Sequence, residues 1–209
     1  MKTVAVFVLS VCVLSSLAPA GAAQIRLNEL IADPASDWDG DGVLDTKLDE
    51  WVEVVNTGPD TVDLSNYRLS DASGGTDTYR FALSGALAPG AAVAIYGADA
   101  VAWQASQGIA TSGLSLNNGG DTVYLYDVSS GTPVEVDVVT YAGVVVIDDR
   151  AIGRIPSGTG NWVVFDGLNP YSGDVLPPTG CMPSPGEAVS CPTPVEETSW
   201  GRVKSLYMQ

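Results

Sequence analysis

The segment Asp37-Trp-Asp-Gly-Asp-Gly-Val-Leu-Asp45, continuing to Asp49 and Glu50, gathers oxygen ligands at the spacing a hard cation requires. Alternate carboxylates supply several oxygens from a short stretch, and the interspersed glycines let the backbone turn sharply enough to bring them together. With Asp37 as position 1, Asp39 and Asp41 fall at 3 and 5, Gly42 at 6, the Val43 carbonyl at 7 and Asp45 at 9. This reproduces the opening of a calcium loop of the EF-hand type. Position 12, where that loop carries a bidentate glutamate, is Leu48, so closure falls to Asp49 or Glu50 and onto a strand instead of a helix. The candidate calcium ligands are therefore Asp37, Asp39, Asp41, Val43, Asp45, Asp49 and Glu50. Lys47 is the single basic residue between Asp33 and Glu50, so without a metal these carboxylates repel one another or take up protons. The plainer alternative is a solvated acidic loop that keeps the protein soluble.

Other chemistry has little to stand on. The chain has no histidine, so no Ser-His or Cys-His nucleophile pair can be assembled. Asn117-Asn-Gly-Gly120 lacks the lysine and the helix of a phosphate cradle and reads as a hairpin turn. Glu29 and Glu53 lie on strand-like runs and would suit a hydrolase pair, but the expected role is structural, accepting hydrogen bonds at a sheet edge. Trp51, Trp103 and Trp162 with Tyr67, Tyr96, Tyr124, Tyr126 and Tyr141 suggest sugar stacking or, on alternating strand positions, core and cross-strand pairs. Arg150 and Arg154 are placed to brace Trp162 through a cation–π contact or an ion pair.

The elements that would position these residues are short and alternate with a period of two. Ile25 to Ile31 reads as the opening strand, and Trp51 to Asn56 follows the acidic loop with Val52 and Val54 on one face and Trp51, Glu53 and Val55 on the other. Further strand-like runs cover Val62–Leu69, Thr78–Leu83, Ala92–Tyr96, Leu114–Leu116, Asp121–Tyr126 and Val134–Tyr141, separated by Gly, Pro, Asn and Asp turns. A short helix is expected within 98–107. Many short strands with turn signals between them predict an all-β antiparallel sandwich.

The order of these motifs resembles the lamin tail domain, an immunoglobulin-like fold. The resemblance rests on Leu27-Asn-Glu29, Trp51-Val-Glu-Val-Val-Asn56, Val62-Asp-Leu-Ser-Asn-Tyr-Arg-Leu-Ser-Asp71 and Leu87-Ala-Pro-Gly90. It continues through Leu114-Ser-Leu-Asn-Asn-Gly-Gly-Asp-Thr-Val-Tyr-Leu-Tyr-Asp127, Val136-Asp-Val-Val-Thr-Tyr141 and Arg150 to Trp162, and spans residues 24–170. It implies an immunoglobulin-like β-sandwich, a role in protein interaction or surface architecture, and no catalysis of its own. A carbohydrate- or polymer-binding module is the alternative, and a calcium-dependent hydrolase using Glu29 or Glu53 stands behind it.

Processing signals set the compartment. Lys2, the apolar run Val4 to Leu17 and Ala18-Pro-Ala-Gly-Ala-Ala23 read as a secretory signal peptide over 1–23, cleaved after Ala22 or Ala23. The mature protein is then expected outside the cytoplasm, secreted or in the cell envelope of a bacterium, with no membrane-spanning segment. Losing Lys2 takes the formal charge from −16 to −17, which disfavours nucleic-acid partners and leaves an unidentified protein or surface polymer. Export also favours a disulfide between Cys181 and Cys191. By composition, 171–195 is a Pro-rich linker with little to pack, and 196–209 a short amphipathic tag in which Trp200, Val203, Leu206 and Tyr207 share a face.

Overall fold

The computed structural model describes residues 24–75, 78–187, 189 and 191; the expected signal peptide and C-terminal tag lie outside the described residues. Eleven strands form in chain order: β1 Ile25–Ile31, β2 Trp51–Asn56, β3 Val62–Asp63, β4 Tyr67–Asp71, β5 Phe81–Ala82, β6 Ala86–Leu87, β7 Ala92–Tyr96, β8 Gly120–Asp127, β9 Val134–Ala142, β10 Ala151–Ile155 and β11 Asn161–Phe165. One α-helix among the described residues, α1 Gly97–Ser106, falls where a short helix was expected. A five-stranded sheet runs β11-β10-β1-β2-β7 and a four-stranded one β5-β4-β8-β9, while β3 and β6 pair by themselves. Every strand pairing is antiparallel, and the whole is an immunoglobulin-like β-sandwich.

Alternation explains the layering. Leu27, Leu30, Val52, Val54, Ile95, Ile152 and Val164 point inward from one sheet and meet Leu69, Val123, Leu125, Val139 and Tyr141 from the other. Their alternates on the five-stranded sheet point outward, yet Ile31, Trp51, Ala151 and Phe165 are buried there too, in a second apolar cluster with Cys181. Something therefore covers the outer face of that sheet. The cover consists of Trp38 from the acidic loop and the chain after β11.

Three local expectations differ from the structure. Residues 171–187 are no bare linker: Val164 N–H donates to Pro177 O at 2.8 Å, Cys181 is fully buried, and the expected Cys181–Cys191 disulfide is formed. Proline composition forbids a regular ladder but not packing through side-chain acceptors. Leu114–Leu116 is not a strand; Ser115 adopts φ 62°, and the Leu116 N–H is taken at 3.1 Å by the Glu50 carboxylate. Glu29 and Glu53 sit on the central strands β1 and β2, opposite each other, instead of at an edge.

Candidate functional site

The acidic loop joins β1 to β2, and its carboxylates are held mainly by its own backbone. Asp49, fully buried, accepts from Trp38 N–H at 2.7 Å, Asp39 N–H at 3.0 Å and Asp45 N–H at 2.8 Å, so the far end of the loop is folded onto its start. Asp37 accepts from Gly40 N–H on one oxygen and Gly42 N–H on the other, both at 2.8 Å. These turns need φ of 77° at Gly40 and 90° at Gly42, the left-handed region where a side chain costs about 1 kcal/mol or more.

This folding brings Asp37, Asp39 and Asp49 together, with one carboxylate oxygen from each within 4.8 Å of the others. The remaining expected ligands lie outside the trio. Asp41 turns onto Val43 N–H at 2.7 Å, and Asp45 onto Lys47 and Leu48 N–H at 2.9 and 3.0 Å. The Val43 side chain is exposed, and Glu50 points away to Leu116.

The electrostatics of the trio suit a cation. For Asp39, the hydrogen bond from Asp41 N–H lowers the pKa, but partial desolvation and the charges of Asp41, Asp49 and Asp37 outweigh it and leave the carboxyl above its ordinary value. Asp45 moves the other way, lowered by the Lys47 and Leu48 N–H groups. Among the described residues the ion pairs are Arg80–Asp71 and Arg154–Asp137, so no basic side chain neutralises Asp37, Asp39 and Asp49. One Asp39 oxygen accepts Asp41 N–H and the other takes no hydrogen bond among the described residues, leaving it open to a metal. Three carboxylates, an open oxygen and no paired base among the described residues are a donor set that could hold a hard cation.

Sequence reasoning missed the residue that seats this loop. Asp149, 7 % exposed, accepts from Ala35 N–H at 2.7 Å, Ser36 N–H at 3.1 Å, the Ser36 hydroxyl and Trp38 Nε1 at 2.7 Å. It adopts φ 64° beside Asp148 at 46°. Aspartate tolerates this conformation better than most side chains, so Asp148-Asp149 was readable as a tight turn. Its partners, more than a hundred positions away, were not. Trp38, held by Asp149 and Asp49, meets Trp51 edge-on at 6.0 Å between ring centres and ties the loop to the sheet.

The carboxylates considered for catalysis are shut away. Glu29 and Glu53 are 1 % and 0 % exposed under the chain after β11. Burial, then the neighbouring Glu53 charge, pushes the Glu29 carboxyl up to about 8; burial also raises Glu53. Glu50, likewise buried, rises to about 8. Several of the aromatics considered for sugar stacking pair with neighbouring side chains while staying half-buried: Tyr124 stacks on Tyr126 at 5.8 Å, Trp103 meets Phe81 at 6.2 Å, and Trp162 lies under Arg154 at 4.7 Å.

Among protein-family models, the one described as Lamin Tail Domain matches residues 18–143. No curated protein and no solved structure matches the chain. Among the described residues no helix is long and apolar enough to cross a membrane.

Proposed function

The chain belongs to the lamin tail domain family, a non-catalytic immunoglobulin-like fold, and from that membership and the loop geometry we propose an exported, calcium-loaded protein-interaction module. The observation that supports the calcium is the meeting of Asp37, Asp39 and Asp49 within 4.8 Å with no basic side chain paired to them among the described residues. A divalent cation there would be held by those three carboxylates, neutralise their mutual repulsion and stiffen the connection between β1 and β2. The module then acts outside the cytoplasm, at the cell envelope or in the medium, on a protein or surface polymer. The closed position of Glu29 and Glu53 supports a non-catalytic role over the hydrolase alternative.

Thermal unfolding with calcium or chelator tests the reading. Binding to the folded state alone adds about 2.7 kcal/mol at a hundredfold excess over Kd. For a chain of this size that is a rise in Tm of roughly 5–10 °C. Asp37→Asn with Asp39→Asn, both on the loop surface, is expected to fold normally and lose the rise. Superimposable melting curves for the wild type in calcium and in chelator would remove the metal from the account.

A further inference from the structure

After β11 the chain turns back over the outer face of the five-stranded sheet. Asp166 holds its first turn, accepting from Thr179 N–H at 3.0 Å and Gly180 N–H at 2.7 Å. Cys181 then packs among Ile31, Trp51, Ala151 and Phe165, and its disulfide to Cys191 closes the segment into a loop. Between those two points the segment rests on two acids. Glu29 accepts both the Ser184 N–H and its hydroxyl at 3.0 Å, and Glu53 accepts Gly186 N–H at 2.6 Å.

The seat is electrostatically poor. Glu29 and Glu53 are cross-strand partners, and like charges in that position repel. Among the described residues, the groups around them offer no cation. Strand β2 gives Glu53 itself, with Asn28 of β1 donating to it, and β7 gives Tyr96, which feels the Glu53 charge. On this face β10 gives Gly153 and β11 lays Phe165 over it, so that a Cβ there would come within 2.6 Å of the ring. The segment itself adds only Glu187, exposed beside Gly186. Burial and like-charge repulsion, with only N–H and O–H donors to offset them among the described residues, favour a proton on this pair over two negative charges.

We propose that residues 177–187 form a latch whose seating on the Glu29–Glu53 pair requires a proton on that pair, so that the latch is closed at acid pH and opens as pH rises, uncovering the Trp51–Phe165 face. The direction follows from linkage. With the latch open, both acids return to water and ionise near their ordinary values. With it closed, Glu29 holds its proton up to about pH 8. Opening therefore releases a proton between about pH 4.5 and 8. The stabilisation of the closed form is complete below that window and is lost as pH climbs through it. Within the window the open-to-closed ratio rises by up to about tenfold per pH unit.

Hydrogen exchange on the full chain with its disulfide intact reads this directly. Protection of the 181–187 amides, corrected for the intrinsic pH dependence of exchange, is expected to fall by up to about tenfold per unit between pH 5 and 8. Amides of β4 and β8 should fall far less. Glu29→Gln keeps the acceptor oxygen, cannot ionise, and should flatten the profile. Glu53→Gln removes the neighbouring charge and should end the fall at a lower pH. A flat wild-type profile, an equal fall in Glu29→Gln, an unmoved Glu53→Gln end point, or a parallel fall in β8 would each overturn the latch.

Discussion

Arg154→Ala is expected to destabilise the domain by about 1.5–3 kcal/mol, because it strips the charged donor from a partly buried ion pair and its hydrogen bonds. From β10, Arg154 Nε donates to Leu27 O and Nη1 to Gly160 O, each at 3.1 Å. Its Nη2 pairs with Asp137 on β9 at 3.2 Å, and the guanidinium lies 4.7 Å over Trp162. Asp137 in turn accepts Leu27 N–H at 3.1 Å. This group closes the side of the sandwich where β1 of one sheet approaches β9 of the other, a side that no ladder spans. Without the guanidinium, Asp137 keeps a partly buried charge answered only by the N–H groups of Leu27 and Val138. Urea unfolding would show the loss, and Arg154→Lys should recover little of it, since an ammonium cannot reach three acceptors in different directions. A change below about 1 kcal/mol, the worth of a surface ion pair, would mean that the corner is solvated in solution.

Asp149→Ala is expected to cost about 3–4 kcal/mol and to weaken metal uptake at the acidic loop. Hydrogen bonds to a charged acceptor contribute about 1.5–3 kcal/mol when lost with their partners left buried, and alanine at φ 64° adds about 1 kcal/mol. The four donors that Asp149 collects fix the chain from Ala35 to Trp38, the stretch that carries the first carboxylate of the trio. Asp149→Asn keeps one oxygen and the tolerance for that backbone, so it should lose about half as much. Calorimetric titration with calcium should show a weaker Kd for Asp149→Ala than for the wild type, although Asp149 is not among the three clustered carboxylates. An unchanged Kd would mean that the loop is organised by Asp49 alone.

What the sequence made legible was whatever has a local period. Trp51 to Asn56 alternates because each face of β2 meets a different layer, and the predicted division of Val52 and Val54 from Trp51, Glu53 and Val55 is the one found. Asp37 and Asp39 were readable through the glycines that follow them, Gly40 and Gly42, whose positive φ the turns use. The brace of Arg154 on Trp162 was readable because the two side chains fall opposite each other on one hairpin. The rest depended on pairings distant in sequence. Nothing near Glu29 announces that β10 lies beside β1 and makes the strand central. Leu114-Ser-Leu116 alternates like a strand, but its backbone partner is a side chain from β2's threshold. The prolines after residue 176 conceal a segment held by Asp166, Glu29 and Glu53, three acids whose local contexts suggest other work.

The central claim, that Asp37, Asp39 and Asp49 hold a calcium ion, is tested most directly by terbium luminescence. Terbium enters calcium sites, and Trp38 stands between two of the three carboxylates in the chain, placed to pass excitation energy to a metal bound there. Excitation of the tryptophans is expected to give terbium emission that saturates at one ion per chain, is displaced by calcium, and disappears in Asp37→Asn with Asp39→Asn. Emission that never rises above free terbium, or that survives the double substitution unchanged, would contradict the account.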